Sequence, residues 1–247
     1  MGADIGADVT IAIMSSVALT MLMAVTVQSV VGFGSALISA PILIGLLGIE
    51  VAIPLLSVLG ITQQSILWAL YRQAFNWRAM ARLTAASLAL VPVGVLLVDY
   101  LPERIVLTGL GLTLIGYAAY ELAQLQLPKL ESPQWGYFFG GVAGILSGAY
   151  NIAGPPVILY ASCRRWQRDE FKSNLQGYFL INSVLIVLAR ALQDQLTTKV
   201  WLLGLIALPA IAIGSFAGAR LSMRLNPDYF RRVVLILLVA LGLKLLL

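Results

Sequence analysis

Ten apolar runs, separated by short loops that collect nearly all the charge, leave this chain of 247 residues no room for a soluble core. They cover residues 9–31, 36–47, 51–71, 83–98, 105–122, 135–150, 155–162, 171–189, 200–219 and 233–247. A helix needs about 20 apolar residues to cross a bilayer, and most of the longer runs approach that length. Only 11% of the residues are charged and 60% are hydrophobic, whereas about 25% charge is usual in soluble domains. The chain therefore reads as an all-α polytopic membrane protein, one integral membrane domain over 1–247. Residues 1–10 contain Asp4 and Asp8 but no Lys or Arg. A cleavable signal peptide begins with positive charge, so the first run is expected to be retained.

Two of the apolar stretches are interrupted by glycine and proline in the same way. The first reads Gln28, Ser29, Val30, Val31, Gly32, Phe33, Gly34, Ser35, with Pro41 beyond; the second runs from Ser147 through Gly148, Ala149, Tyr150, Asn151, Ile152 and Ala153 to Gly154, Pro155 and Pro156. In a bilayer such a break is tolerated only where protein or a water-filled cavity satisfies the freed backbone. Paired breaks in two halves of a membrane protein point to a binding site.

The halves do correspond, at an offset near 118 that sets Gln64 against Asn182 and Arg72 against Arg190, with Pro92 matching Pro209. This predicts two repeats, about 9–123 and 135–247, joined by a connector at 124–134. Each is a Gly/Pro-broken helical hairpin followed by three transmembrane helices. If each hairpin enters and leaves on one side, twelve Lys and Arg fall in inside loops and four outside; if each crosses once, the best split is nine to seven. Positive charge accumulates inside. Inverted repeats with both termini outside are thus predicted, although hydropathy does not distinguish re-entrant from fully crossing hairpins.

At a break, glycine permits backbone conformations denied to other residues. The helix that restarts beyond it presents free N–H groups and the positive end of its dipole, which suit a small anion. Those N-termini are expected at Ser35 and at Gly154 and Pro155. Gln28, Ser29, Ser147, Tyr150 and Asn151 flank the breaks as neutral donors, and Gly32, Phe33 and Gly34 form the first break itself. Gln63, Gln64, Ser65, Asn182 and Ser183 make a second polar set in mid-span. The plainer alternatives are close packing through small residues and interhelical hydrogen bonding. Arg72 and Arg190, at matching span ends, are candidates to attract anions into vestibules, or else snorkel to the interface.

The absences narrow the chemistry. With no histidine and a single cysteine, Cys163, His-based metal sites, haem ligation by His and multi-cysteine clusters are excluded, and no metal or cofactor is expected. The segment from Gly144 to Gly148 is similar to the serine motifs of intramembrane proteases, but no histidine exists to serve as base, and every lysine lies at a loop or span end. An enzyme is not expected. The net charge of +5 follows from topology and not from a nucleic-acid face. No Asp or Glu occupies the middle of a span, so the carboxylate relay of a typical proton-coupled carrier is missing.

The Gly32, Phe33, Gly34 segment ending at Pro41, the run Gly144, Ile145, Leu146, Ser147, Gly148, the stretch from Gly154 through Tyr160, and Ile181, Asn182, Ser183 together resemble the TauE/SafE family of membrane permeases, also called the sulfite exporter or toluene sulfonate uptake group. The resemblance spans nearly the whole chain. It implies movement of small sulfur-containing or organic anions across a bacterial inner membrane, with the lipid bilayer and the anion as partners; a homodimer is compatible with it. This chain departs from the family pattern at Asn151 and Ala153, where glycines are expected. A secondary carrier or facilitator is the leading expectation, with a channel-like facilitator or an accessory subunit of another transporter as alternatives.

Overall fold

The computed structural model describes residues 11–123, 128–222 and 227–246, and in these it is all-helical. The ten α-helices are α1 (Ile11–Val31), α2 (Ser35–Leu47), α3 (Ile49–Tyr71), α4 (Trp77–Tyr100), α5 (Glu103–Leu122), α6 (Trp135–Tyr150), α7 (Gly154–Cys163), α8 (Arg168–Ala191), α9 (Thr198–Leu221) and α10 (Pro227–Leu246), with a 3₁₀ turn, Arg72–Ala74, after α3. Among the described residues, five helical segments are long and apolar enough to span a membrane: Ile11–Val31, Ile49–Ala74, Trp77–Tyr100, Glu103–Leu122 and Thr198–Leu221. The protein is a polytopic membrane protein.

Helix ends fall where capping chemistry places them, beyond the limits of the apolar runs. Helix α4 starts at Trp77, six residues before its apolar run, because the Asn76 side chain accepts the Ala79 N–H at 3.2 Å. Arg78 and Arg82 thus lie inside a helix, since charge alone does not end one. Helix α8 likewise reaches back to Arg168 and carries Asp169 and Glu170 in its first turn, where the helix dipole favours acids.

Packing follows a pattern of exchange between α1–α5 and α6–α10. Helix α1 packs on α9 and α6 on α4; α3 meets α9 as α8 meets α4; α3 pairs with α8, and α5 with α10. Swapping each helix for its counterpart five positions along leaves these pairings unchanged. Backbone approaches are close because glycines face neighbouring main chains. A Cβ on Gly140, Gly144 or Gly148 of α6 would lie 2.2–2.5 Å from the carbonyl oxygens of Leu83, Ser87 or Val91 on α4. Gly214 and Gly218 of α9 meet Leu22 and Thr26 of α1 in the same way. Such small-residue contacts are how membrane helices approach one another without a hydrophobic driving force.

Nearly every residue of the short helix α7 is buried, as are most residues of α2 up to Ile44. Large apolar residues face outward from the surrounding helices, among them Leu19, Leu96, Leu112, Leu205, Phe216 and Ile236. The broken segments therefore sit at the centre of the bundle.

Candidate functional site

Both breaks use left-handed backbone. Gly32 and Gly34 have φ of 99° and 108°, and Asn151 has φ of 59°. Gly32 and Asn151 each directly follow their helix, α1 and α6. After glycine, asparagine is the residue that best adopts this conformation, which explains why Asn151 stands where a glycine is expected. Ala153, with φ of −99°, needs no glycine. Its Ile152 neighbour donates to Leu146 O at 3.3 Å and Asn151 donates to Ser147 O at 2.8 Å, the latter being the bond by which an αL motif closes a helix end.

The first break is tied together by Gln28. Its Oε1 accepts the Ser35 N–H at 3.1 Å and the Ser35 hydroxyl at 2.5 Å. Its Nε2 donates to Gln64 Oε1 at 3.1 Å and to Gln176 Oε1 at 3.3 Å, and Gln176 in turn donates to Gly32 O at 2.7 Å. The amide's full capacity is thus used. In this conformation Gln28 caps α2, and Ser35 turns both donors on Gln28. Ala36 and Leu37, whose amides a first helical turn leaves without intrahelical acceptors, are among the residues lining the cavity. The second restart is poorer in donors than expected, because Pro155 and Pro156 have no N–H; Gly154 carries what remains.

Between the breaks lies a cavity of about 50 Å³, enough for a few waters or one small oxyanion. Of the residues expected at the site, Gln28, Gly34, Ser35, Gln64, Ser147, Asn151, Gly154 and Asn182 line it, joined by Gln63 and Ser183. No lining side chain is charged. Gln63 is 2% exposed, and its Nε2 has no hydrogen-bond partner. A buried donor left unmade costs on the order of 1–3 kcal/mol. Gln63 and Asn182 are both the fifteenth residue of their helices, α3 and α8, and Gln64 and Ser183 the sixteenth. This register is one residue away from the pairing suggested by sequence comparison, which set Gln64 against Asn182.

Several expected residues lie outside the wall. Ser29 donates to Val25 O at 2.9 Å and packs at Gly218 of α9. Phe33 stacks edge-on against Tyr117, centroids 5.8 Å apart. The Tyr150 hydroxyl points to Gly109 of α5; Gly32 and Pro155 shape the breaks from behind. Ser65 is exposed, as is Arg72. Arg190 is 1% exposed; its Nη2 donates to Gly148 O at 2.7 Å and its Nη1 to Gln195 Oε1 at 2.6 Å. It neither snorkels nor opens on a vestibule, but holds a free carbonyl at the end of α6.

Three contributors escaped the sequence reading. Gln176 bridges Gln28 and Gly32, while Ser87 donates to Asn182 Oδ1 at 2.6 Å and accepts from the Tyr178 hydroxyl at 2.7 Å. The available signal was periodicity: Gln176 lies seven residues before Ser183, on the same face of α8. The side chains also cross between the two sets of helices, with Gln176 of α8 on the first break and Asn151 Nδ2 donating to Leu56 O of α3 at 3.0 Å.

Residues 17–245 match the family model described as sulfite exporter TauE/SafE. A probable sulfite/organosulfonate exporter, TauE, of Cupriavidus necator is 29% identical over 227 residues, covering 89% of this chain and 88% of that protein. A probable inner membrane transporter protein, TsaS, of Comamonas testosteroni is 27% identical over 182 residues, 71% of this chain and 74% of the relative. No solved structure matches. With breaks, cavity and family model coinciding over the same helices, this chain belongs to the sulfite exporter TauE/SafE family, whose members are transporters and not enzymes.

Proposed function

We propose that the protein is a secondary carrier or facilitator that moves a small oxyanion, sulfur-containing or organic, across the bacterial inner membrane. The anion is held between the two broken hairpins and exposed to each side in turn by rocking of inverted repeats. The observation that carries this is the cavity between the two breaks, whose wall is uncharged and carries the neutral polar side chains of Gln28, Gln63, Gln64, Asn151 and Asn182. Neutral donors bind an anion without the strong charge pairing that would slow its release. The relatives' names, a probable sulfite/organosulfonate exporter and a probable inner membrane transporter, support the substrate class.

Purified protein reconstituted alone into liposomes tests the reading. The panel is sulfite, sulfate, thiosulfate, sulfoacetate, taurine and simple carboxylates, with and without pH and voltage gradients. Selective flux of at least one sulfur oxyanion without a partner protein is the expected result. No flux of any anion would favour an accessory subunit instead.

A further inference from the structure

Helix α8 carries one continuous stripe from end to end: Lys172, Gln176, Phe179, Ser183, Ile186 and Arg190, spaced alternately four and three residues apart. That spacing places them on one face, over about 27 Å at 1.5 Å per residue. Phe179, Ser183 and Ile186 line the cavity. A cationic residue stands at each end of the stripe, and the two ends are built differently.

At the Arg190 end the stripe is closed. Arg190 is fully buried and bonded to Gly148 O and Gln195, and Gln195 Nε2 donates to Asp99 Oδ1 at 2.9 Å. This links α8, α6 and α4 through charge-assisted bonds, the strong class. The matching clasp at the other end is uncharged. Tyr71 and Arg190 are each the twenty-third residue of their helices, and Ser29 and Gly148 each the third from the end of theirs. The Tyr71 hydroxyl reaches Ser29 O only at 3.5 Å and is hydrogen-bonded to the Ser222 side chain.

Beside Tyr71 lies a surface depression of about 330 Å³, lined by Leu70, Tyr71, Gln73, Ala74, Asp169 and Lys172. Lys172 Nζ sits 5.0 Å from the Tyr71 ring centroid, and a Cβ at Gly32 would lie 3.7 Å from Lys172 Cγ. The first break is thus in contact with the depression on one flank, while Gly34 and Ser35 line the cavity on the other. What stands between is the Gln28, Gln64 and Gln176 cluster. Its amide bonds are neutral and 3.1–3.3 Å long, so an arriving anion can exchange with them.

The geometry points to the Lys172 depression as the mouth through which a small anion reaches the central cavity, the Arg190 end being shut in this conformation. The inference rests on the proposed carrier reading and adds to it the entry residue and the side of access. Asp169 in the same depression offsets part of the Lys172 field, so the mouth selects for anions without trapping them.

Cysteine accessibility tests this without requiring transport. In a Cys163→Ser background, Ser183→Cys reports from the cavity wall, with Ala36→Cys as a second reporter and the exposed Gln73→Cys as a control for folding and sidedness. Each is labelled in inside-out vesicles and in intact cells with anionic sulfonatoethyl and cationic trimethylammonioethyl methanethiosulfonate. Labelling of the cavity reporters is expected from the Gln73 face alone, with the anionic reagent favoured. Lys172→Gln should lower the anionic-to-cationic rate ratio by roughly 10-fold, the low end of local field focusing, and Lys172→Arg should preserve it. An unchanged ratio in Lys172→Gln, or equal labelling from both faces, overturns the mouth while leaving the cavity reading intact. Reporters unlabelled from either face, with Gln73→Cys reacting normally, would overturn the cavity reading itself and the mouth with it.

Discussion

Two glutamines in this bundle are equally buried and do opposite things. Gln28 has every hydrogen-bonding position filled, whereas Gln63 leaves Nε2 without a partner. Gln28→Leu strands the donors and acceptors of Ser35, Gln64 and Gln176, and should cost about 1–3 kcal/mol of stability, seen as a lower melting temperature in detergent. Gln63→Leu removes that unsatisfied donor and should leave that temperature unchanged or raised. Asn151 makes a third case, set by backbone and not by bonding. Asn151→Gly should keep the fold, while Asn151→Val forces a β-branched residue into left-handed backbone and should lose about 1–2 kcal/mol, measurable in the same melts. None of these distinctions was readable from residue type. The sequence marks Gln28, Ser147 and Asn151 as polar beside a break, but whether an amide caps a helix or faces a cavity depends on what the other half of the chain brings to it.

At the level of elements, the glycines of α6 serve contact. The Gly144 to Gly148 run, which resembles a protease motif in sequence, lies against the α4 backbone at Ser87 and Val91. Gly144→Leu would drive a side chain into Ser87 O and should abolish a monodisperse peak in size-exclusion chromatography. Gly116→Leu, with nothing within 4 Å of its Cβ position, should elute as the unmodified protein does. Overpacking of a close crossing typically costs about 1–3 kcal/mol or more. The helices themselves were legible, because apolar length and glycine punctuation operate locally. The starts of α4 and α8 were less so, since Asn76 and the acids of the first turn extend those helices through charged residues that a hydropathy boundary excludes. Arg190 was misjudged for a related reason. A cation at a span end ordinarily reaches for the interface, and only the tertiary structure supplies Gly148 O and Gln195 as its partners.

For the molecule as a whole, the exchange of packing partners between α1–α5 and α6–α10 sets each break against the long helix of the other half. A site shared in this way can respond to small relative movements of the two halves, which is the mechanical requirement of alternating access. Positive charge in the loops predicts both termini outside, so a C-terminal alkaline phosphatase fusion should be active and a C-terminal green fluorescent protein fusion dark. Counted from the helix starts, α3 and α8 set Gln63 against Asn182, one residue from the pairing that the sequence comparison suggests. The proposed carrier requires the central cavity, with Gln63 in its wall, to hold the transported anion. Efflux of ³⁵S-labelled sulfite from proteoliposomes, run on wild type and Gln63→Leu with melting temperatures taken on the same preparations, tests it directly. We predict at least about a 10-fold slower efflux for Gln63→Leu, the equivalent of one lost hydrogen bond of roughly 1.4 kcal/mol, with a melting temperature no lower than wild type. Efflux equal to wild type from an equally stable variant would contradict it.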